Sequence, residues 1–215
     1  MKGCSRMERL SWVSTWGFVL LLAGCAAGAK GLDRRVGPAY QSEVQSWQDA
    51  VRTHGQSGYW IVVRGYHRGD DVIAMSTNSE LSHAAILDAE RQYVIEAVKN
   101  GVLEKPMTEL ISESHRIQVI RPQGWTPELG QRAVERARSV LGASYDFTGI
   151  VGAPSKKRYY CSELAAWSMS IKVDSPGPQH VIHPKNLHKL GEVLYDTGDR
   201  DKSPDAWPAL EPEHP

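Results

Sequence analysis

The chain has 215 residues, with 25 basic and 25 acidic side chains, so its formal net charge is zero. This balance leaves no basic excess for nucleic-acid binding. Hydrophobic residues make up 41% and charged residues 23%, which excludes wholesale disorder and a multi-span membrane protein. The length suits one domain, and three cysteines (Cys4, Cys25 and Cys161) are too few for a disulfide-rich scaffold or a four-cysteine metal site.

Residues 1–24 have the pattern of a bacterial lipoprotein signal peptide. A basic start precedes an apolar stretch over residues 12–22, which is too short to span a bilayer. The stretch leads into Leu-Ala-Gly-Cys at 22–25, which resembles a lipobox, in which the thiol of Cys25 carries a diacylglyceryl group. The alternatives are an ordinary secretory signal cleaved near Ala27 and an uncleaved buried helix.

Acylation of Cys25 predicts a protein of the cell envelope that is held stably at a membrane by several acyl chains. Ala26 follows the cysteine, and a residue other than Asp there resembles outer-membrane sorting in Gram-negative lipoproteins, with the domain facing the periplasm. Residues 25–38 are then a lipidated tether, 39–200 the folded domain, and 201–215 a proline-rich flexible tail.

The domain reads as α+β in chain order. Apolar residues at Tyr40, Val44, Trp47 and Val51 share one helical stripe, so the pattern predicts a helix over 40–52. A turn is predicted at 69–71 and a hairpin loop at 89–91. β-branched and apolar runs predict strands over 59–66, 72–76, 83–88, 92–98 and 115–120.

Helices are predicted to follow this strand-rich centre. Thr126-Pro127-Glu128 combines a capping hydroxyl, a proline at the first helical position and an acid near the positive end of the dipole, and Gly142 ends the stripe. A second helix runs from Ser162 towards residue 171, and residues 184–190 form a short third one. Strands followed by helices predict an antiparallel sheet rather than alternating βαβ units.

Cys161 is the first candidate for chemistry. If Cys4 leaves with the signal and Cys25 carries lipid, it is the only free thiol of the mature chain. It lies at the start of a predicted helix, where unpaired N–H groups and the helix dipole favour a thiolate. The alternative is a small buried hydrophobic residue that happens to be cysteine.

A thiolate nucleophile needs a base and a group that orients the base. His83 begins a predicted strand, and Glu96 lies on the next strand across the short hairpin, within reach of the imidazole. A carboxylate at that position would fix the tautomer and stabilise imidazolium. Taken alone, a histidine on a strand is more often structural.

Several segments resemble one known family. They are Gly-Asp-Asp-Val-Ile at 69–73, Ser-His-Ala-Ala-Ile at 82–86, Val-Ile-Glu-Ala at 94–97, Gly-Ala-Ser-Tyr-Asp-Phe at 142–147 and Tyr-Cys-Ser-Glu-Leu at 160–164. The order of histidine, acid and cysteine is the reverse of papain's. The chain looks like a YiiX/YebB-like protein of the NlpC-type cysteine peptidase superfamily, related to lecithin:retinol acyltransferase.

This resemblance covers about residues 59–190 and implies a circularly permuted papain-like fold, with the nucleophile at a helix N-terminus beside an antiparallel sheet. Two departures from the family pattern concern substrate shape: Ala85 replaces a glycine, and Asp71 displaces an apolar residue.

The resemblance implies a Cys-His-Glu triad, with Cys161 as nucleophile, His83 as base and Glu96 as orienting acid. Should Glu96 fail in that role, Asp146 is the next candidate. Candidates for oxyanion or substrate contacts are Tyr145, Ser82 and Tyr160. For Tyr145, packing beside the nucleophile helix is the alternative.

No metal or organic cofactor is required by this chemistry. Three histidines near the end of the domain are candidate metal ligands, but Pro184 interrupts them and no acid flanks them, so we interpret them as solvated loop residues. They are His180, His183 and His188.

These residues predict a monomeric, lipid-anchored cysteine hydrolase. An envelope location favours an amide of a peptidoglycan stem peptide as the substrate. One alternative is a lipid or acyl-ester hydrolase or acyltransferase of the same fold, which would take a small acyl-containing substrate. Another is a non-catalytic envelope lipoprotein that binds a partner.

The lipobox prediction is tested by Cys25→Ser. Without the thiol no acyl chain can be attached, so the variant should be released from membranes or stay unprocessed while its folded domain keeps its activity. Cell fractionation and mass spectrometry of the mature protein measure this. An unmodified Cys25 in the mature native protein would contradict the prediction.

Overall fold

The computed structural model describes residues 32–153, 155, 157–171 and 181–198. The signal segment, Cys25 and the proline-rich tail predicted from the sequence lie outside these residues. None of the described helices is long and apolar enough to cross a membrane.

Five α-helices and six strands make up this part of the chain. In chain order they are α1 (Pro38–His54), β1 (Trp60–Gly65), α2 (Arg68–Thr77), β2 (His83–Asp88), β3 (Tyr93–Val98), β4 (Gly101–Pro106), α3 (Met107–Ser112), β5 (Ser114–Pro122), α4 (Pro127–Arg138), α5 (Cys161–Ser168) and β6 (Gly191–Asp196). Short 3-10 helices occupy Gly149–Val151 and Pro184–Leu190.

The six strands form one sheet in the order β4-β3-β2-β1-β5-β6, with every neighbouring pair antiparallel. Alternate side chains of β1 separate two cores. Ile61 and Val63 pack with residues of α1 and α3, whereas Trp60 and Val62 pack with residues of α4 and α5. The sheet is therefore covered on both faces, and the α+β antiparallel fold class predicted from the sequence is confirmed.

Local sequence explains where the predicted helices begin. The stripe of Tyr40, Val44, Trp47 and Val51 is the buried side of α1. In α4 the Thr126 hydroxyl accepts a hydrogen bond from the Leu129 N–H, as predicted. Helix α4 ends at Arg138, earlier than the predicted stop at Gly142, and α5 ends at Ser168 rather than near residue 171.

The predicted strand over 72–76 is wrong, because these residues lie in α2. The His67 N–H donates to the Asp70 carboxylate (3.0 Å), which caps the helix start. Asp70 and Asp71 also lie in the first turn, where the helix dipole favours acids. The Gly-Asp segment used for the family resemblance is thus a helix start rather than a strand start.

Strands β4 and β6 and helix α3 were not predicted. Both strands lie at the edges of the sheet, and most of their residues are only partly buried, so they lack an apolar run. Gly101 begins β4 with φ +109°, and a Cβ there would collide with the Ala143 carbonyl. The hairpin between β3 and β4 therefore requires glycine at this position.

Gly65 and Gly69 give a matched pair of tests for the start of α2. A Cβ on Gly65 would collide with the Asp70 carboxylate, whereas a Cβ on Gly69 meets no atom within 4 Å. Gly65→Ala should lower the free energy of unfolding by about 1–3 kcal/mol through overpacking. Gly69→Ala should raise it by about 0.5–1 kcal/mol through helix propensity. Urea denaturation measures both, and equal stability of the two variants would show that Asp70 does not rest against Gly65.

Candidate active site

His83 and Glu96 form a buried pair at one end of the sheet. His83 is the first residue of β2, and Glu96 lies opposite Ala85 in the register between β2 and β3. The Nε2 atom of His83 lies 2.6 Å from Oε2 of Glu96, and the two side chains are 15% and 2% exposed. The hairpin predicted from the sequence therefore brings the imidazole and the carboxylate together.

Cys161 is the first residue of α5, a helix that packs against β2 and β3. Cys161 is buried, and it lies close enough to the His83 imidazole to raise the pKa of that group. An ionised carboxylate only accepts, so the Nε2 atom of His83 donates to Glu96 and Nδ1 is the ring nitrogen that remains for another partner. The first N–H groups of a helix have no partner within it, so α5 itself does not use the Cys161 N–H.

The pair is strongly coupled electrostatically. Burial lowers the pKa of His83, but the Glu96 carboxylate and the nearby sulfur outweigh burial and hold this pKa well above its usual value. Burial likewise raises the pKa of Glu96, yet His83 and Lys105 bring it down to about 2. Both effects favour an imidazolium next to a carboxylate.

Lys105 is a partner of Glu96 that the sequence reasoning missed. Its Nζ atom lies 3.1 Å from Oε1 of Glu96, and its side chain is 15% exposed. The residue lies on β4, opposite Val94. The sequence does contain a signal for β4. Asn-Gly at 100–101 favours a hairpin turn, which would have predicted a further strand beside Glu96.

Ser82 and Tyr160, two of the three candidates for substrate contacts, have hydroxyls that form hydrogen bonds within the chain. The Ser82 hydroxyl donates to Asp70 (2.7 Å) and accepts from the Gly65 N–H (3.1 Å), so it braces the start of β2 and cannot also donate to an oxyanion. The Tyr160 hydroxyl accepts from the Ile182 N–H (3.2 Å). The first set of contacts holds the chain next to His83, and the second holds it next to Cys161.

Tyr145 is the candidate whose hydroxyl lies near the nucleophile. Burial raises its pKa, and the neighbouring Cys161 raises it further, so the phenol keeps its proton and can donate a hydrogen bond. Its ring lies 4.8 Å from the ring of Phe147, which is 59% exposed. An apolar surface thus borders the site.

Asp146 has other partners. It is fully buried, and its carboxylate accepts from Thr148 N–H and hydroxyl and from the Ser155 N–H. These hydrogen bonds order the turn after Tyr145. The structure places Glu96, and not Asp146, against the imidazole.

Only two of the three late histidines lie in the described part of the chain. His180 lies outside the described residues, His188 is exposed, and burial lowers the pKa of His183. In the described part of the chain, no three His, Cys, Asp or Glu side chains are placed to hold a metal ion.

Comparison with known proteins identifies a family. The model of a family described as permuted papain-like amidase enzymes, YaeF/YiiX, matches residues 62–197. Among solved structures the chain is similar to metalloprotein yiiX from Escherichia coli O157:H7, at 28% identity and a TM-score of 0.46. That match covers 53% of this chain and 63% of the other, so the chain spans less than two thirds of that structure. No curated protein matches the chain.

Because the pKa of Glu96 is lowered in the folded protein, the free energy of unfolding should depend on pH. A carboxyl that titrates at about 2 when folded and near 4.5 when unfolded stabilises the fold above pH 4.5, and this contribution disappears as the pH falls towards 2. Glu96→Gln should lower the free energy of unfolding by about 3 kcal/mol at pH 6 and by much less near pH 2.5.

Urea denaturation across this pH range measures the difference. The exposed Glu135 on α4 supplies the control, since Glu135→Gln should change stability little at any pH. A loss for Glu96→Gln that does not vary with pH would show that the carboxylate is not held by charged partners.

Proposed function

The chain belongs to the permuted papain-like YaeF/YiiX amidase family, and from this premise we propose that it is a cysteine amidohydrolase with Cys161, His83 and Glu96 as its catalytic triad. One observation carries the proposal: the imidazole of His83 contacts a buried carboxylate through Nε2 at 2.6 Å and lies close enough to Cys161 for the sulfur to raise its pKa. A nucleophile, a base and an acid that orients the base are the groups that acyl transfer by a cysteine requires.

The reaction uses His83 to move one proton in both directions. Nδ1 takes the proton of Cys161, and the thiolate attacks the carbonyl carbon of the amide. The resulting imidazolium then protonates the leaving nitrogen, the C–N bond breaks, and an acyl-thioenzyme remains. In the second half, His83 takes a proton from water and the hydroxide attacks the thioester carbon. The C–S bond then breaks, the carboxylic acid leaves, and the released thiolate takes the proton back from His83, which restores the starting state.

The negative oxygen of each tetrahedral intermediate needs donors. The N–H of Cys161 is one, because it lies at the first position of α5 and has no helical partner. The Tyr145 hydroxyl supplies the second, since the phenol stays protonated beside the sulfur. Glu96 contributes by keeping the proton on Nε2 and by stabilising the imidazolium.

The substrate we propose is an amide of a peptidoglycan stem peptide. The support is the sequence pattern at 1–25, which predicts export and acylation at Cys25 and would place the enzyme beside the cell wall. The same pattern underlies our proposal of an envelope-anchored enzyme.

A second candidate is an acyl ester or lipid. The observation that favours it is the exposed Phe147 ring packed on Tyr145, which offers an apolar surface next to the nucleophile. An acyl chain would bury this ring, whereas a polar stem peptide would not.

Turnover of purified muropeptides and of acyl esters by the full chain tests the triad and separates the substrates. Cys161→Ala and His83→Ala should each remove nearly all activity, and the double variant should lose little more, because the two residues act as one unit. Glu96→Gln should lower kcat by about 10²–10⁴.

The exposed His188 provides a matched control, since His188→Ala should keep wild-type kcat/KM. Wild-type kcat/KM in both Glu96→Gln and Glu96→Ala would overturn the role of Glu96. Activity that survives Cys161→Ala would overturn the proposal as a whole.

A further inference from the structure

The Glu96 carboxylate contacts two cationic side chains, those of His83 and Lys105. Oε2 accepts from His83 at 2.6 Å, and Oε1 lies 3.1 Å from the Nζ atom of Lys105. The carboxylate is 2% exposed and the lysine side chain 15% exposed, so water supplies little of the solvation that either charge needs. This second ion pair is not part of the triad chemistry described above.

We propose that Lys105 is a positioning residue of the reaction, the permanent counter-cation that keeps Glu96 ionised and aligned while His83 gains and loses its proton. The proposal rests on the triad proposed above. His83 is charged after it takes the thiol proton and neutral after it protonates the leaving group. Without Lys105, each neutral interval would leave a buried carboxylate with no cation, which is costly.

The sheet register fixes this arrangement. Between β3 and β4, Glu96 lies opposite Leu103 and Lys105 lies opposite Val94, so the two charged residues are diagonal neighbours on the same face. Because Lys105 occupies Oε1, the carboxylate cannot rotate freely and Oε2 stays directed at the imidazole. Lysine at this position thus sets the orientation of the residue that orients the base.

Glu113 holds the lysine from the other side. Its Oε2 atom lies 3.2 Å from the Nζ atom of Lys105 and 3.6 Å from Nε2 of the exposed His67. Glu113 is 26% exposed, so the row of alternating charges reaches solvent here. The row of alternating charges consists of His83, Glu96, Lys105 and Glu113. The titratable groups next to its buried end are Cys161 and Tyr145, and the one next to its exposed end is His67.

The sign of the effect on His83 follows from the charges. A cation on Glu96 reduces the pull of the carboxylate on the imidazolium, so Lys105 restrains the rise in the pKa of His83. Lys105→Met and Lys105→Gln should each raise this pKa further, by about one unit. Lys105→Arg keeps the charge and should restore the wild-type value. Glu113→Gln removes a negative charge next to the Lys105 ammonium, so it should lower the pKa of His83. This decrease should be smaller than the increase expected for Lys105→Met.

The experiment follows the His83 imidazole by ¹⁵N NMR against pH in the full chain, with the signal assigned by His83→Gln. If Lys105 were only structural, its loss would change the stability of the protein but not the pKa of His83. Glu113→Gln would then not shift the pKa of His83 in the opposite direction either. Glu113→Gln retains the lysine and keeps the test available if a neutral variant at 105 fails to fold. In a Glu96→Gln background, Lys105→Met should have little effect, because the lysine acts through Glu96.

An unchanged pKa of His83 in the neutral variants, or shifts of the same sign in Lys105→Met and Glu113→Gln, would overturn the role of Lys105. The proposed function fails separately: iodoacetamide labelling of Cys161, read by peptide mass spectrometry, would then be unaffected by His83→Ala. The His83 titration needs no turnover, so the two failures are distinguishable.

Discussion

The site depends on one constraint, the burial of an ionised carboxylate. Glu96 is 2% exposed, and a charge so far from water must be paired. The imidazole of His83 on one oxygen and the ammonium of Lys105 on the other meet this need. The buried Glu96 carboxylate therefore raises the pKa of His83, and its pairing with His83 and Lys105 also stabilises this end of the sheet.

Strand pairing supplies the geometry for this constraint. His83, Glu96 and Lys105 come from β2, β3 and β4, three consecutive strands joined by short connections. A slip of one residue in any register would send a charged side chain to the opposite face and leave it unpaired. The register of these strands is thus determined by charges as well as by the apolar residues around them.

The parts of the fold that the sequence predicts are those with a local signal. β-branched runs identify β1, β2, β3 and β5, and capping residues identify α4. Helix α2 was mistaken for a strand because its apolar residues suit either structure, and the cap by Asp70 decided the outcome. The contact between His83 and Glu96 could be predicted because the hairpin that joins their strands is short. The contact between Lys105 and Glu96 could not be, since it forms only when an unpredicted edge strand pairs with β3.

The surroundings of Cys161 consist of regular elements, which position the triad residues, and of loops, which border the thiol. The proposed triad residues lie on strands and on the first residue of α5, which packs against β2 and β3. The surrounding loops are held by other residues. The Tyr160 hydroxyl accepts from the Ile182 N–H, the Ser162 hydroxyl donates to the Ile182 carbonyl, and Asp146 orders the turn that follows Tyr145. Changes in these loops would alter what fits beside Cys161 without moving the ion pairs. In the proposed enzyme the substrate could therefore change while the proton transfer is kept, because the loops and the His83–Glu96–Lys105 ion pairs are held by separate sets of hydrogen bonds.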